Sequence, residues 1–219
     1  KDEDYCLQRG AIQINTKDGS LKLFPLIDVS EFTKNAIDSV RNNLNWIGAI
    51  YYSIIEKYDL HKQPCYTLIG YDDNDRNSTK KWIDVLRFTE NGEPLFGGNF
   101  FQYPPDSIKP PPPVARFCLE YKKDAAAKMN YDKEMDVIAF EHLISETNEL
   151  SKKYTLIPDG DFEGFEWKNG KWNYIANLFH FKLQDGEAPI PQPLKQADGK
   201  NNESLLDLQS QKNQQKIQP

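Results

Sequence analysis

The residues best suited to bind a metal ion form one short polar segment, Asp72-Asp73-Asn74-Asp75-Arg76-Asn77. Oxygen-bearing side chains at alternate positions are what a calcium loop needs, because Ca²⁺ takes about 6–8 oxygen ligands. The segment lacks the glycine and the glutamate of an EF-hand loop, so a solvated turn is the alternative. Calcium is therefore kept as an optional cofactor, with Asp72, Asn74 and Asp75 as its predicted ligands, and no other cofactor is predicted.

Aromatic side chains are the second group that could bind a ligand. A groove lined by Trp82, Trp167 and Trp172 could hold a carbohydrate or a peptide. Aromatic rings also supply much of the packing in ordinary protein cores, and core packing is the preferred interpretation. The exposure of the three side chains decides between the two, because a groove cannot form if all three are buried.

The acidic residues are compatible with a hydrolase, but none of them can be assigned a catalytic role from the sequence. Asp84, Asp136, Glu141 and Glu166 are examples, and an acidic catalytic pair would need a separation of roughly 5–10 Å. No serine nucleophile elbow, phosphate loop or dinucleotide fingerprint occurs. The three histidines are far apart in the sequence and lack metal-binding spacing. No catalytic residue is predicted, and an enzyme is the less favoured class.

The composition restricts the partners. The chain has 219 residues, a formal net charge of −6 and no clustered stripe of Lys and Arg, which argues against a nucleic-acid partner. No segment approaches the roughly 20 apolar residues of a membrane span. The three cysteines, Cys6, Cys65 and Cys118, exclude a complete set of internal disulfides. A bridge between Cys65 and Cys118 stays open, since it depends on their geometry.

Short strands are the elements that would position these residues. Alternating apolar residues at 11–15 and 21–27 flank the turn Lys17-Asp18-Gly19-Ser20 and predict a hairpin. Ser30 as an N-cap and apolar residues at helical spacing predict one helix at about 30–43. Further strands are predicted at 46–56, 64–71, 81–89, 94–101, 114–122, 126–131, 135–141, 153–157, 163–168 and 171–177, with hairpin turns at Asn91-Gly92 and Asn169-Gly170.

This spacing predicts a mainly β fold. We expect an antiparallel meander of hairpins that forms a sandwich or a barrel-like sheet, with one short N-terminal helix. Residues 1–184 are predicted to form a single β-rich globular domain. Residues 185–219 are rich in Pro, Gln and Asn and poor in aromatics, which predicts an extended C-terminal tail.

Three segments resemble, as a set, a family of uncharacterised exported proteins of Bacteroidota. They are Trp46 to Tyr52, Tyr66 to Asp72, and Lys80 to Phe88 with Asn91-Gly92 behind it. The resemblance covers about 46–178, with a weaker echo at 19–27. It implies export by the general secretory route and a place in the periplasm or at the outer membrane, and it supplies no catalytic residues. Asp106-Ser107-Ile108 looks like the O-glycosylation acceptor of exported proteins of that phylum, so Ser107 is a predicted glycosylation site.

The preferred prediction is a non-enzymatic accessory or interaction protein of the periplasm or outer membrane. It would be a subunit of an envelope complex with protein partners. The absence of a catalytic set, the Pro-rich loop at 104–113 and the polar tail favour this role. Two alternatives stay open: a glycan- or peptide-binding module assisted by calcium, and a hydrolase that uses a carboxylate pair.

Overall fold

The computed structural model describes residues 6–104 and 114–179 and shows a mainly β protein. All of the described residues belong to one compact unit, which ends at Phe179. The predicted tail at 185–219 therefore lies outside the described residues. The described strands are β1 (Arg9–Ile14), β2 (Lys22–Ile27), β3 (Arg41–Asn42), β4 (Ile50–Tyr58), β5 (Pro64–Asp72), β6 (Ser78–Phe88), β7 (Pro94–Phe96), β8 (Phe101–Gln102), β9 (Phe117–Lys122), β10 (Met129–Asp132), β11 (Val137–Ser145), β12 (Leu156–Lys168) and β13 (Lys171–Ile175).

The strands form two large sheets and one separate hairpin. One sheet has the order β3-β7-β6-β5-β4, with β9 also paired to β6, and the other has the order β10-β11-β12-β13-β8. β1 and β2 pair with each other. All of these pairs are antiparallel except the short contact between β13 and β8. The described strands do not close into a barrel, so the sandwich form of the predicted fold is the one observed.

The core lies between the two large sheets. Ile69, Ile83 and Val85 from one sheet meet Phe140 and Phe165 from the other, and all five are essentially inaccessible to water. Successive residues of a strand point to opposite faces, so the apolar residues of each sheet can fill this layer. The aromatic and branched residues on which the strand predictions were based therefore also fill this core.

Trp172 joins the two sheets by a hydrogen bond inside this core. Its indole Nε1 donates to Thr67 Oγ1 at 2.9 Å, and both side chains are fully buried. A buried indole N–H needs such an acceptor, because an unpaired polar group in an apolar core is costly. The bond connects β13 of one sheet to β5 of the other.

Both predicted Asn-Gly hairpins are confirmed. Asn169 and Gly170 both have positive φ, 53° and 72°, as a two-residue hairpin turn requires. Gly92 has a φ of 76°, and its amide closes the turn onto Thr89. The predicted hairpin of the N-terminal region is also confirmed, because β1 pairs with β2 along its full length.

The predicted helix at 30–43 was wrong. Only Ser30–Phe32 is helical, as one 3-10 turn. Instead, the Arg116 guanidinium donates a hydrogen bond to the carbonyl of Ala36, and the amide of Ala115 donates one to the carbonyl of Ile37. In a helix these carbonyls would accept hydrogen bonds from the helix's own N–H groups. Tertiary hydrogen bonds therefore replace the local ones, and the Asn, Asp and Ser residues in the segment favour helices only weakly.

Several strand limits also differ from the predictions. The strand expected at 46–56 begins only at Ile50, and the one expected at 94–101 is divided into β7 and β8. The strand expected at 153–157 begins only at Leu156, after a 3-10 turn at Lys153–Thr155, and it runs on through the one expected at 163–168 as a single strand, β12. Cys65 and Cys118 are free thiols, and the disulfide that the sequence left open is not formed.

Asp28 connects the hairpin to the entry of β4. Its carboxylate accepts hydrogen bonds from the amides of Gln8, Ser30 and Gly48 at 2.9–3.0 Å, and from the Ser30 hydroxyl. A Cβ on Gly48 would lie 2.1 Å from Asp28 Oδ2, which is far inside van der Waals contact. Glycine is therefore required at position 48 by the approach of this carboxylate.

We expect Gly48→Ala to lower the free energy of unfolding by about 2–3 kcal/mol, as overpacking does in a tight site. Urea denaturation monitored by tryptophan fluorescence measures the change. Gly10→Ala is the matched control, because its Cβ meets only a flexible Leu26 methyl at 3.3 Å. A Gly48→Ala protein as stable as the control would contradict this account of Asp28.

Candidate functional site

β4 lies at one end of its sheet and has an unpaired side. Its nine residues pair only with β5, and β4 makes no other backbone hydrogen bond within residues 6–104 and 114–179. The other strands at the ends of the two sheet orders, β3, β8 and β10, have only two to four residues. An unpaired edge offers N–H and C=O groups to another extended chain. β4 is therefore the longest described strand with only one strand partner, and it is a candidate surface for binding another strand.

The outer face of β4 carries two apolar residues with an acidic residue between them. Ile54 is 69% exposed and Tyr58 is 55% exposed, and Glu56 between them is also exposed. Their neighbour Ile55 points the other way, into the core between the sheets. The hairpin covers the middle of this sheet face through Ile12 and Leu26. The β4 end of the face stays accessible.

Lys57 is the only basic residue of β4, and its charge is used inside the fold. The ammonium pairs with Asp136 and lies 5.5 Å from the ring centres of Tyr131 and Trp172. Lysines on edge strands commonly discourage pairing with other chains. The outer face of β4 has no such lysine, and its one charged residue is the acidic Glu56.

A cleft of about 540 Å³ lies on another side of the described fold. Its volume falls in the range of small-molecule sites. His142 lines it at a register shift between β11 and β12, and such irregularities often redirect a side chain. Other lining residues include Lys34, Ile37, Lys80, Trp82, Phe117, Cys118, Glu120, Lys153, Leu156 and Glu163.

His142 lies between two carboxylates in this cleft. Nδ1 is 2.8 Å from Asp159 Oδ2, and Nε2 is 3.9 Å from Glu163 Oε1. Partial burial acts the other way, but hydrogen bonds from His142 and the Asp161 amide hold the pKa of Asp159 below its usual value. A His oriented by a carboxylate is an element of general-base catalysis. Burial raises the pKa of the nearby Cys118 thiol far above its usual value, so this cysteine is a poor nucleophile.

The tryptophans predicted to line a groove are mostly core residues. Trp82 and Trp172 are buried, so of the three indoles only that of Trp167 retains appreciable exposed surface for a ligand. Trp167 is partly buried, stacks on Phe100 and meets Trp172 edge-on at 5.1 Å between ring centres. Only Trp82 contributes to the cleft, as part of its wall.

The predicted calcium ligands form a hydrogen-bonded turn. Asp72 Oδ1 accepts from the Asn74 amide at 2.8 Å, and Asp75 Oδ1 accepts from the Ser78 amide at 2.9 Å. Asn74 Oδ1 accepts from Lys80 Nζ at 2.7 Å. Burial raises the pKa of the Asp72 carboxyl, against the effect of its hydrogen bonds. No group of three or more His, Cys, Asp or Glu residues suited to a metal occurs among the described residues.

We expect calcium at about 10 mM to leave the melting temperature unchanged, because the oxygens of Asp72 and Asn74 already have donors and the Lys80 ammonium repels a cation. A site with an affinity near 10⁻⁴ M would add about 2.7 kcal/mol, which is a shift of several degrees. Differential scanning calorimetry decides, with magnesium at the same ionic strength as the control. A calcium-specific rise that is lost in Asp75→Asn would instead support the calcium hypothesis.

The remaining sequence-based candidates have structural partners or lie elsewhere. Asp84 pairs with Arg116, Asp136 with Lys57, and Glu166 with Lys168. Glu141 Oε2 accepts from the Lys128 amide at 2.6 Å. Ser107, the predicted glycosylation site, lies outside the described residues.

Comparison with known proteins finds no matching protein-family model, no similar curated protein and no similar solved structure. The resemblance to exported proteins of Bacteroidota therefore stays a prediction. Within the described residues, no helix has the length and apolar character needed to cross a membrane.

Proposed function

We propose that this protein is a non-enzymatic accessory or interaction protein of the bacterial periplasm or outer membrane, and a subunit of an envelope complex. The single observation that supports an interaction role is the long edge of β4, which has no strand partner within the described fold and has exposed apolar residues beside it. The export and the envelope location rest on the sequence resemblance. Protein partners are expected, and nucleic acid is not.

The physical argument for an interaction surface is that unpaired backbone groups beside exposed apolar side chains are unfavourable in water. A long edge strand with exposed apolar side chains is an aggregation hazard, and proteins usually protect it with charge, proline or cover. β4 has the charge of Glu56 and a bulge at Tyr52, but Ile54 and Tyr58 still leave exposed apolar surface beside the edge. A bound partner would satisfy the backbone groups of β4 and cover both side chains, which accounts for the exposure in the isolated chain.

The test is co-purification of the native protein from the envelope fraction of its host, followed by identification of its neighbours. We expect a defined partner that is lost when Ile54→Lys places a charge on β4. Leu21→Lys is the matched control, because Leu21 is 72% exposed but lies outside β4. Recovery of the wild-type protein only as a free monomer would contradict the proposal.

The cleft around His142 favours a second function, a binding module for a glycan or a peptide. Its walls combine apolar residues with Lys34, Lys153, Glu120 and Glu163. A glycan and peptide array tests this function, and a ligand whose binding is lost in Phe117→Ala would support it. If a bound glycan is also cleaved and Glu163→Gln stops cleavage without stopping binding, the carboxylate-dependent hydrolase is the better description.

A further inference from the structure

We propose that β4 binds one extended segment of a different protein, which adds to the sheet and carries a basic residue between two apolar residues on its outer face. This inference rests on the proposed interaction role and names the partner's chemistry. Addition of a strand to a sheet edge takes its affinity from main-chain hydrogen bonds and its specificity from alternate side chains. The structure of β4 indicates both the length of the partner strand and its pattern of side chains.

The length of the docking segment follows from a β-bulge. The register between β4 and β5 shifts between Tyr51 and Ser53, so Tyr52 is an extra residue on β4. A bulge interrupts the regular hydrogen-bond ladder. The regular edge therefore runs from Ser53 to Tyr58, which is about 20 Å at 3.3–3.4 Å per residue. A partner strand of about six residues would fill it.

The side-chain pattern of the partner follows from charge. The outer face of this edge presents Ile54, Glu56 and Tyr58, in the order apolar, acidic and apolar. Glu56 has no basic partner among the described residues and only accepts a hydrogen bond from the Tyr58 hydroxyl at 3.3 Å. Opposite charges directly across two strands stabilise the pair, and like charges destabilise it. A Lys or Arg opposite Glu56, with apolar residues on either side, is the best complement.

A second copy of this chain fits the edge less well. If two β4 strands pair antiparallel about a two-fold axis and the sheet stays continuous, residues of the same face lie opposite each other. With the axis on Ile55, Glu56 or Lys57, Glu56 faces Ile54, the Glu56 of the other copy or Tyr58. It never faces Lys57, because that side chain points to the inner face and pairs with Asp136. The charge pattern therefore favours a different protein.

Two synthetic peptides test the inference directly. One is the capped heptapeptide Thr-Val-Thr-Lys-Thr-Val-Thr, and the other has Glu in place of Lys. We expect the Lys peptide to bind about fivefold more tightly, from one cross-strand charge pair gained and one like-charge pair avoided. NMR titration measures binding, and slower hydrogen exchange at residues 53–58 identifies the site.

Charge reversal of the protein supplies the matched control. In Glu56→Lys the preference should invert toward the Glu peptide, while Glu31→Lys, an exposed position outside β4, should keep the wild-type preference. Equal affinity for both peptides, or slowed exchange away from β4, would overturn the inference. So would a wild-type dimer in analytical ultracentrifugation that Ile54→Lys converts to a monomer, because the occupant would then be a second copy.

The two proposals can fail separately. If Ile54→Lys abolishes co-purification but neither peptide binds, the interaction role stands and the extended basic strand is wrong. If the Lys peptide binds β4 but no native partner is recovered, the docking chemistry stands and the role in an envelope complex is contradicted.

Discussion

Arg116→Met is expected to lower the free energy of unfolding by about 3–5 kcal/mol, which is the usual cost of removing one partner of a buried ion pair. Arg116 and Asp84 are both almost fully buried, with Nε to Oδ2 at 3.0 Å. The guanidinium also donates to the carbonyls of Ala36 and Phe96. The substitution leaves a carboxylate and two carbonyls without this donor. Urea denaturation measures the loss.

The pH dependence gives this prediction a signature that a packing defect would lack. Burial raises the pKa of the Asp84 carboxyl, and Arg116 opposes the rise. Without Arg116 the folded-state pKa rises further above the unfolded value of about 3.9. The folded state then binds the proton more tightly, so stability falls as pH rises through the folded pKa. We expect the deficit against wild type to be largest near neutral pH and to shrink toward pH 4.

Two further variants control the result. Lys122→Met breaks an ion pair with Glu146 in which both side chains are about 40% exposed, and it should cost less than about 1 kcal/mol. Adding Asp84→Leu to Arg116→Met removes the orphaned carboxylate and should restore part of the lost stability. An Arg116→Met protein with a loss no greater than that of Lys122→Met would contradict this account of the buried pair.

Trp172→Ala should destabilise the protein by a similar amount, about 3–5 kcal/mol, because it empties the middle of the core. Trp172 is fully buried between the sheets, and the Lys57 ammonium lies over its ring. Trp172→Phe keeps most of the apolar volume but leaves the buried Thr67 hydroxyl without its indole donor, at a cost of about 1–3 kcal/mol. Thermal denaturation ranks the two variants.

Trp167→Phe is the matched control for the tryptophan series. Trp167 is only partly buried, and no hydrogen bond is formed by its indole within the described fold. We therefore expect a smaller loss than for Trp172→Phe. If Trp172→Ala unfolded no more easily than wild type and instead lost a ligand, the groove hypothesis would be supported.

The fold class was predictable because its signals are local. An Asn-Gly pair with alternating apolar residues around it specifies a hairpin, and both such pairs in the sequence form one. The helix expected at 30–43 does not form, because the spacing of its apolar residues reflects packing against distant parts of the chain rather than one face of a helix. Ala36 and Ile37 pack against Ile47 and Trp82 without helical geometry, whereas Phe32 is exposed. Arg116, some 80 residues away, is invisible to a periodicity argument.

The candidate site was harder to predict because it depends on strand order. The strand at 50–58 was expected, but no local pattern says that it would lie at the end of a sheet. One signal was available: apolar residues occur on both alternating faces of this strand, so neither face is wholly polar. The pairing of His142 with Asp159 could have been found from the hairpin register, because adjacent strands bring these residues together.

The hydrogen bond between Trp172 and Thr67 also has a consequence for the order of folding. It joins residues 105 positions apart, and β8 pairs with β13 between residues 71 positions apart, Phe101 and Trp172. Contacts between residues this far apart in the sequence form late in folding, so we infer that folding takes milliseconds to seconds. The core cannot be completed until β13 has joined the sheet. The incompletely folded chain would meanwhile expose β4 and its apolar neighbours, a state in which a chaperone could bind before any final partner does.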